Sequence, residues 1–279
     1  MLADMAEGTA PRSDAAALMD PLCPEPLHAR ILEVLERAEV AATRPRCVPD
    51  IRSGFSALDQ QLTGRRLVVM FGRPQGGKTA LALCMARETA RVGHVLYCSS
   101  LGESVELARR LLAAEAKIPV DRFTEGRLSS EDWAHATESA VRLGSTPLWL
   151  LDARGESVSQ IRAAAMALKN TRGLDLLVVD GVRDRSDDVV PALEELAFRL
   201  NCSVLAVYES DLAWDPHLEP YSGFAHTPVL RVRDDRESPP LEVSELQRWL
   251  RVTLERSGSV ATVVRACLDK RFALVSAEP

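Results

Sequence analysis

The run Leu67-Val68-Val69-Met70-Phe71 leads straight into Gly72-Arg73-Pro74-Gln75-Gly76-Gly77-Lys78-Thr79. An unbroken apolar run of strand length reads as a strand buried on both faces, and residues 78–92 then read as a helix. The segment between them fits G-x-x-x-x-G-K-[ST] in the strand-then-helix setting that this spacing requires. Glycines leave backbone N–H groups free to wrap phosphate oxygens, and the following helix points its positive end at them. Lys78 is therefore expected at the terminal phosphates and Thr79 Oγ at a magnesium ion. Gly72, Arg73, Pro74, Gln75, Gly76, Gly77 and Ala80 complete the expected cradle, with ATP and Mg²⁺ as its cofactors.

From this point strands and helices alternate. Strands are expected at 94–99, 148–151, 174–179 and 203–207, and helices at 104–116, 130–143, 157–169 and 189–200. Alternation of this kind predicts an α/β fold, a mostly parallel central sheet with helices on both faces. Two β-prone runs at 249–255 and 260–268 flank Arg256-Ser257-Gly258-Ser259 and predict a C-terminal β-hairpin. A phosphate cradle of this type needs a carboxylate from a second strand to hold the magnesium shell. Leu176-Leu177-Val178-Val179-Asp180 is an apolar run ending in an acid, so Thr79 and Asp180 are the expected metal ligands.

Composition narrows the rest. Lys plus Arg number 34 against 40 Asp plus Glu, a net charge of −6, so no global positive field draws the chain to nucleic acid and any such contact is a local patch. The six cysteines form no CxxC pair, which argues against a zinc site or a disulfide framework and for cytosolic thiols. No apolar run approaches the roughly 18 residues of a membrane span, so a cytoplasmic chain without membrane contact is expected.

Residues 1–26 are rich in Ala, Pro and small polar residues and are expected to be a disordered tail. Leu27, Ile31, Val34, Leu35 and Ala38 fall at helical spacing before Pro45 and Pro49 break the pattern. This amphipathic helix either packs on its own domain or docks its stripe on a neighbouring subunit. The expected organisation is a tail over 1–26, a linker helix and connection over 27–50, and one domain over 51–279.

Ser53-Gly54-Phe55-Ser56-Ala57-Leu58-Asp59 resembles the entry segment of RecA-type ATPases. Gly126-Arg127-Leu128-Ser129-Ser130-Glu131-Asp132-Trp133, Pro147-Leu148-Trp149-Leu150-Leu151-Asp152 and Val158-Ser159-Gln160-Ile161-Arg162 resemble the motor domain of DnaB-type replicative helicases. The resemblance covers about residues 27–275. It implies a RecA-like P-loop NTPase core in a hexamer-like ring, hydrolysing ATP between subunits and passing single-stranded DNA in replication. Helix 27–42 would be the linker helix docked on the adjacent motor; with only a short tail before it, a counterpart of the family's N-terminal helical domain is not expected. Carried over by position, Gly72, Gly77, Lys78 and Thr79 match Walker A and Asp180 matches Walker B. Arg256 is similar in position to the arginine finger that reaches a neighbour's γ-phosphate, the other reading being a solvated turn residue.

The sequence also departs from the family. Leu101 stands where a glutamate should polarise the attacking water, and Glu103, two residues on, either substitutes for it or is an acid at a helix N-terminus. Glu209 stands where a glutamine should sense the γ-phosphate, and Leu254 where a lysine should precede the finger. Arg183-Asp184-Arg185-Ser186-Asp187-Asp188, in the region of the family's DNA loop, holds more acid than base. Two functions are therefore expected: a helicase motor, or a catalytically degenerate nucleotide-binding relative that regulates assembly or partners with a true helicase or another replication protein.

Overall fold

The computed structural model describes residues 50–279 apart from 157, 183–188, 210–226, 236–246, 257–258, 273 and 278–279, together with Leu27, Ile31, Leu32 and Leu35. The chain divides into two compact units, Met1–Arg46 and Cys47–Pro279. In the first, Leu27, Ile31, Leu32 and Leu35 are helical and exposed, while the expected tail at 1–26 lies outside the described residues.

In the second unit the strands are β1 (Leu67–Gly72), β2 (Val95–Ser99), β3 (Leu148–Asp152), β4 (Leu176–Val182), β5 (Ser203–Glu209), β6 (Val229–Asp234), β7 (Gln247–Arg256), β8 (Ser259–Asp269) and β9 (Leu274–Ala277). The helices are α1 (Ser56–Leu62), α2 (Lys78–Ala90), α3 (Ser104–Ala116), α4 (Val120–Thr124), α5 (Ser130–Gly144), α6 (Val158–Thr171) and α7 (Val189–Leu200). Among the described residues the strands join one nine-stranded sheet in the order β3-β2-β4-β5-β1-β6-β7-β8-β9. Pairing is parallel from β3 through β6 and antiparallel from β6 through β9.

The apolar runs of the parallel strands are explained by burial on both faces. Val68 and Met70 of β1 join Tyr97, Val178 and Leu205 against Leu58 of α1, the alanine-rich α2, and Leu107 and Leu111 of α3. Leu67, Val69 and Phe71 turn the other way and meet Ile161 and Ala165 of α6 and Leu193, Leu196 and Ala197 of α7. The antiparallel strands alternate instead. Leu250, Val252 and Leu254 enter the first core, while Arg251 and Arg265 sit opposite each other on the other face. There the buried Asp235 carboxylate accepts from Arg251 at 3.1 Å and Arg265 at 2.8 Å, tying the end of β6 to β7 and β8.

The fold is the α/β architecture expected from the sequence, with three differences. α1, α4, β6 and β9 had no sequence signal strong enough to mark them. The C-terminal hairpin is not an appendage: β6 joins it to the parallel strands and β9 extends it. β4 also runs past Asp180 to Val182, with a register shift between those two residues that Gly181 permits by adopting φ +92°. Cys84, Cys98, Cys202 and Cys267 are free and buried, and burial pushes the thiols of Cys84 up to about 11 and of Cys98 and Cys202 up to about 12. Among the described residues no helix is long and apolar enough to cross a membrane.

Candidate functional site

Parallel strands end together at one edge of the sheet, where open α/β folds bind ligands. Gly72 at the end of β1 pairs with Glu209 of β5, and Ser99 at the end of β2 pairs with both Asp180 of β4 and Asp152 of β3. The sequence between β1 and α2 bends tightly over this edge. Gln75 and Gly77 adopt left-handed φ values of 56° and 87°, and the Gly76 amide donates to the Arg73 carbonyl at 2.9 Å. A Cβ on Gly76 would lie 2.7 Å from that carbonyl oxygen, and one on Gly77 2.8 Å from Leu250 Cδ1, so neither position admits a larger residue without movement. Gly77 caps α2 without a side-chain acceptor for the first helical amides. Amides so placed form an anion site. Lys78 is 4% exposed and its Nζ donates to the Arg73 carbonyl at 2.6 Å, which holds the ammonium inside the bend. Ala80 is buried in the first turn of α2.

Asp180 is fully buried. Its Oδ2 accepts from the Tyr97 hydroxyl at 2.7 Å, and its Oδ1 has no hydrogen-bond partner. Burial pushes the carboxyl above its usual range, opposed by the Tyr97 hydroxyl bonded to it, by the nearby Thr79 hydroxyl and by the charges of Lys78 and Arg110. Burial and the Asp180 charge also keep the Tyr97 phenol protonated, and so a donor. A buried carboxylate oxygen with no donor, on a group that the Thr79 hydroxyl lies near, is the ligand chemistry of a hard divalent cation. Thr79 and Asp180 thus fit magnesium, as the sequence suggests.

The two acids read as candidates for orienting water or sensing phosphate are placed differently. Glu103 is the N-cap residue of α3, with an exposed side chain that pairs with Arg154 at 3.4 Å. Arg154 is itself held by the Asp152 carboxylate at 2.7 Å. Leu101 packs over Gly181 beside Asp180, where a Cβ on the glycine would lie 2.4 Å from Leu101 Cγ. Glu209 ends β5 opposite Gly72, its side chain lying outside the described residues.

Arg256 ends β7 next to the pairing of Glu255 with Val229, the first residue of β6. Because Gly72 pairs with Val232 further along β6, Arg256 lies at the opposite edge of the sheet from the glycine-rich bend. The separation along the strands is about 13 Å. Its side chain lies outside the described residues, as does the acidic segment 183–188. Leu254 is fully buried in the core, which explains an apolar residue where a lysine was expected.

Three contributors were missed in the sequence: Tyr97, Arg154 and Gly181. Arg154 lies two residues beyond Asp152, a spacing that hints at a local ion pair. The reach of Tyr97 to Asp180 is visible only once β2 and β4 are set in register.

Residues 50–188 match the family described as DnaB-like helicase C terminal domain. The replicative DNA helicase DnaB of Leifsonia xyli subsp. xyli is 28% identical over 162 residues, which are 56% of this chain and 35% of that protein. The replicative DNA helicase DnaC of Bacillus subtilis is 30% identical over 155 residues, 54% of this chain and 34% of that protein. The matched stretch thus spans about a third of the length of these relatives. Among solved structures, one isolated ATPase domain superposes with a TM-score of 0.68 at 18% identity, covering 92% of this chain and all of that one. A DnaB-like replicative helicase, solved in a study of its interactions with primase, also gives 0.68, at 19% identity over 92% of this chain and 68% of that one. These superpositions establish the RecA-like fold.

Proposed function

This chain belongs to the family of DnaB-like helicase C-terminal domains, and we propose on that basis that it is an ATP-hydrolysing motor acting on single-stranded DNA in replication. The observation that carries the reading is the buried Asp180, whose Oδ1 has no partner while Tyr97 holds Oδ2 at 2.7 Å, beside Thr79 and the Lys78 ammonium. Lys78 and the amides of Gly72, Arg73, Gln75, Gly76 and Gly77, with Pro74 shaping the bend and Thr79 and Ala80 opening α2, grip the triphosphate. Thr79 and Asp180 hold magnesium, which when bound neutralises charge on the β- and γ-phosphates. Glu103 is the carboxylate on this edge that orients the attacking water, and Glu209 flanks the phosphates from the end of β5.

Arg256 supports an oligomer. From the far edge of the sheet it acts on the nucleotide of an adjacent copy, where it offsets charge developing in the transition state. Residues 51–279 form the ATPase domain in this reading, and 27–50 the linker. The exposed Leu27, Ile31, Leu32 and Leu35 dock on a neighbouring subunit of a hexamer-like ring. The deciding experiment is phosphate release from Mg-ATP with and without single-stranded DNA. The motor requires release that rises with DNA; tight nucleotide binding with no release in either condition rules it out.

A further inference from the structure

We propose that Tyr97 is a positioning residue for the cation site: its hydroxyl claims Asp180 Oδ2 and fixes the carboxylate so that Oδ1 alone is left to serve the metal shell. The inference rests on the functional reading above. It is carried by strand register. Tyr97 pairs with Val178, so Asp180 lies two residues further along β4 on the same face of the sheet. Two residues of strand advance about 6.6 Å, which a phenol spans when it lies along the sheet towards the strand ends. Cys98, between Tyr97 and Ser99, faces the opposite core and makes no such contact.

The alternatives available to Asp180 show what the hydroxyl does. Both residues are fully buried, so no water replaces a lost donor. With one oxygen held at 2.7 Å, rotation of the carboxylate about its terminal bond is restricted, and the unpartnered oxygen keeps a single direction. Groups that orient a metal ligand from behind in this way tune affinity without touching the ion.

Tyr97→Phe removes the hydroxyl and keeps the ring. The test follows the affinity of a fluorescent ADP, in metal-free buffer and with increasing Mg²⁺ or Mn²⁺, for wild type, Tyr97→Phe, Asp180→Ala and the double variant. The expected result is unchanged metal-free affinity for Tyr97→Phe and a metal requirement raised by about tenfold. Tyr97→Phe should add nothing to the metal dependence in the Asp180→Ala background. A Tyr97→Phe protein that melts earlier but shows the wild-type metal dependence overturns the proposal and leaves a structural hydrogen bond only. Wild type with no metal-dependent ADP affinity overturns the functional reading itself, which is a separate outcome.

Should Tyr97→Phe fail to fold, fluorotyrosine incorporated into the otherwise unaltered chain supplies the readout. The sequence has three tyrosines, so single Tyr208→Phe and Tyr221→Phe variants assign the resonances. The Tyr97 signal should shift when Mn²⁺ or Mg²⁺ joins bound ADP and stay still with ADP alone. A signal indifferent to the metal overturns the proposal.

Discussion

Leu101 lies over the α-carbon of Gly181, so closely that a methyl group there would fall 2.4 Å from Leu101 Cγ. This contact locks the residues after β2 against the residue that follows Asp180. Gly181 also holds φ +92°, which a side chain tolerates poorly. Gly181→Ala should therefore cost about 1–3 kcal/mol in backbone strain, plus the clash. For a chain of this size that is a fall in Tm of roughly 2–4 °C per kcal/mol. Adding Leu101→Ala should recover the clash and leave the strain. Melting curves of both variants check this; an unchanged Tm in Gly181→Ala contradicts it.

Lys78 supplies the positive charge buried inside the glycine-rich bend. Its replacement by alanine should abolish detectable Mg-ATP binding while the fold persists, since the lysine stem packs beside Gly72 rather than deep in the core. Calorimetric titration with Mg-ATP reads the loss. Wild-type affinity in Lys78→Ala would sink the site assignment.

Asp180 is a carboxylate whose burial bears on stability. Its folded carboxyl pKa is raised by burial, so the neutral form is favoured on folding. That contribution is fully present below the ordinary carboxylate pKa and fades as pH rises through the raised folded value. Asp180→Asn, always neutral, should melt higher than wild type without nucleotide, by about 2–4 °C if roughly 1 kcal/mol is relieved. The difference should grow with pH above about 4 and then level off. The same variant should lose the magnesium-dependent part of nucleotide affinity. A difference that does not vary with pH would show that Asp180 is not the group responsible.

Glu103 is tethered by Arg154 at 3.4 Å, and Arg154 in turn by Asp152. If Glu103 orients the attacking water, Glu103→Gln should cut turnover by about 100-fold or more while nucleotide affinity holds. Glu209→Gln should cost less, and Arg154→Ala should raise turnover by releasing the carboxylate. Steady-state ATPase rates decide, and equal rates in wild type and Glu103→Gln remove the residue from the mechanism.

What could be read from the sequence follows the range of each interaction. The strand-bend-helix at 67–90 is encoded within one short window, by an apolar run, spaced glycines and a lysine, so the strand, the glycine-rich bend and the helix were legible together. Asp180 was legible because it ends an apolar run. β6 was not: Val229-Leu230-Arg231-Val232-Arg233-Asp234 alternates arginine with apolar residues because Leu230 and Val232 face the first core while Arg231, on the other face, pairs with Glu255 of β7 at 2.6 Å. Tyr97 sits inside an apolar strand run, and its partner lies 83 residues away and meets it only through β2–β4 pairing. The tether on Glu103 was hidden for the same reason: Arg154 comes from the end of β3, 51 residues on.

The placement of Arg256 and Lys78 at opposite edges of one sheet has a consequence for mixtures. If Arg256 acts on the nucleotide of an adjacent copy, as proposed, each molecule carries the donor half of one reaction centre and the acceptor half of another. Two variants, Lys78→Ala and Arg256→Ala, that are each inert alone should regain part of the ATPase rate when blended. In the blend some junctions bring an intact lysine against an intact arginine, and the recovered rate should follow the odds of that encounter.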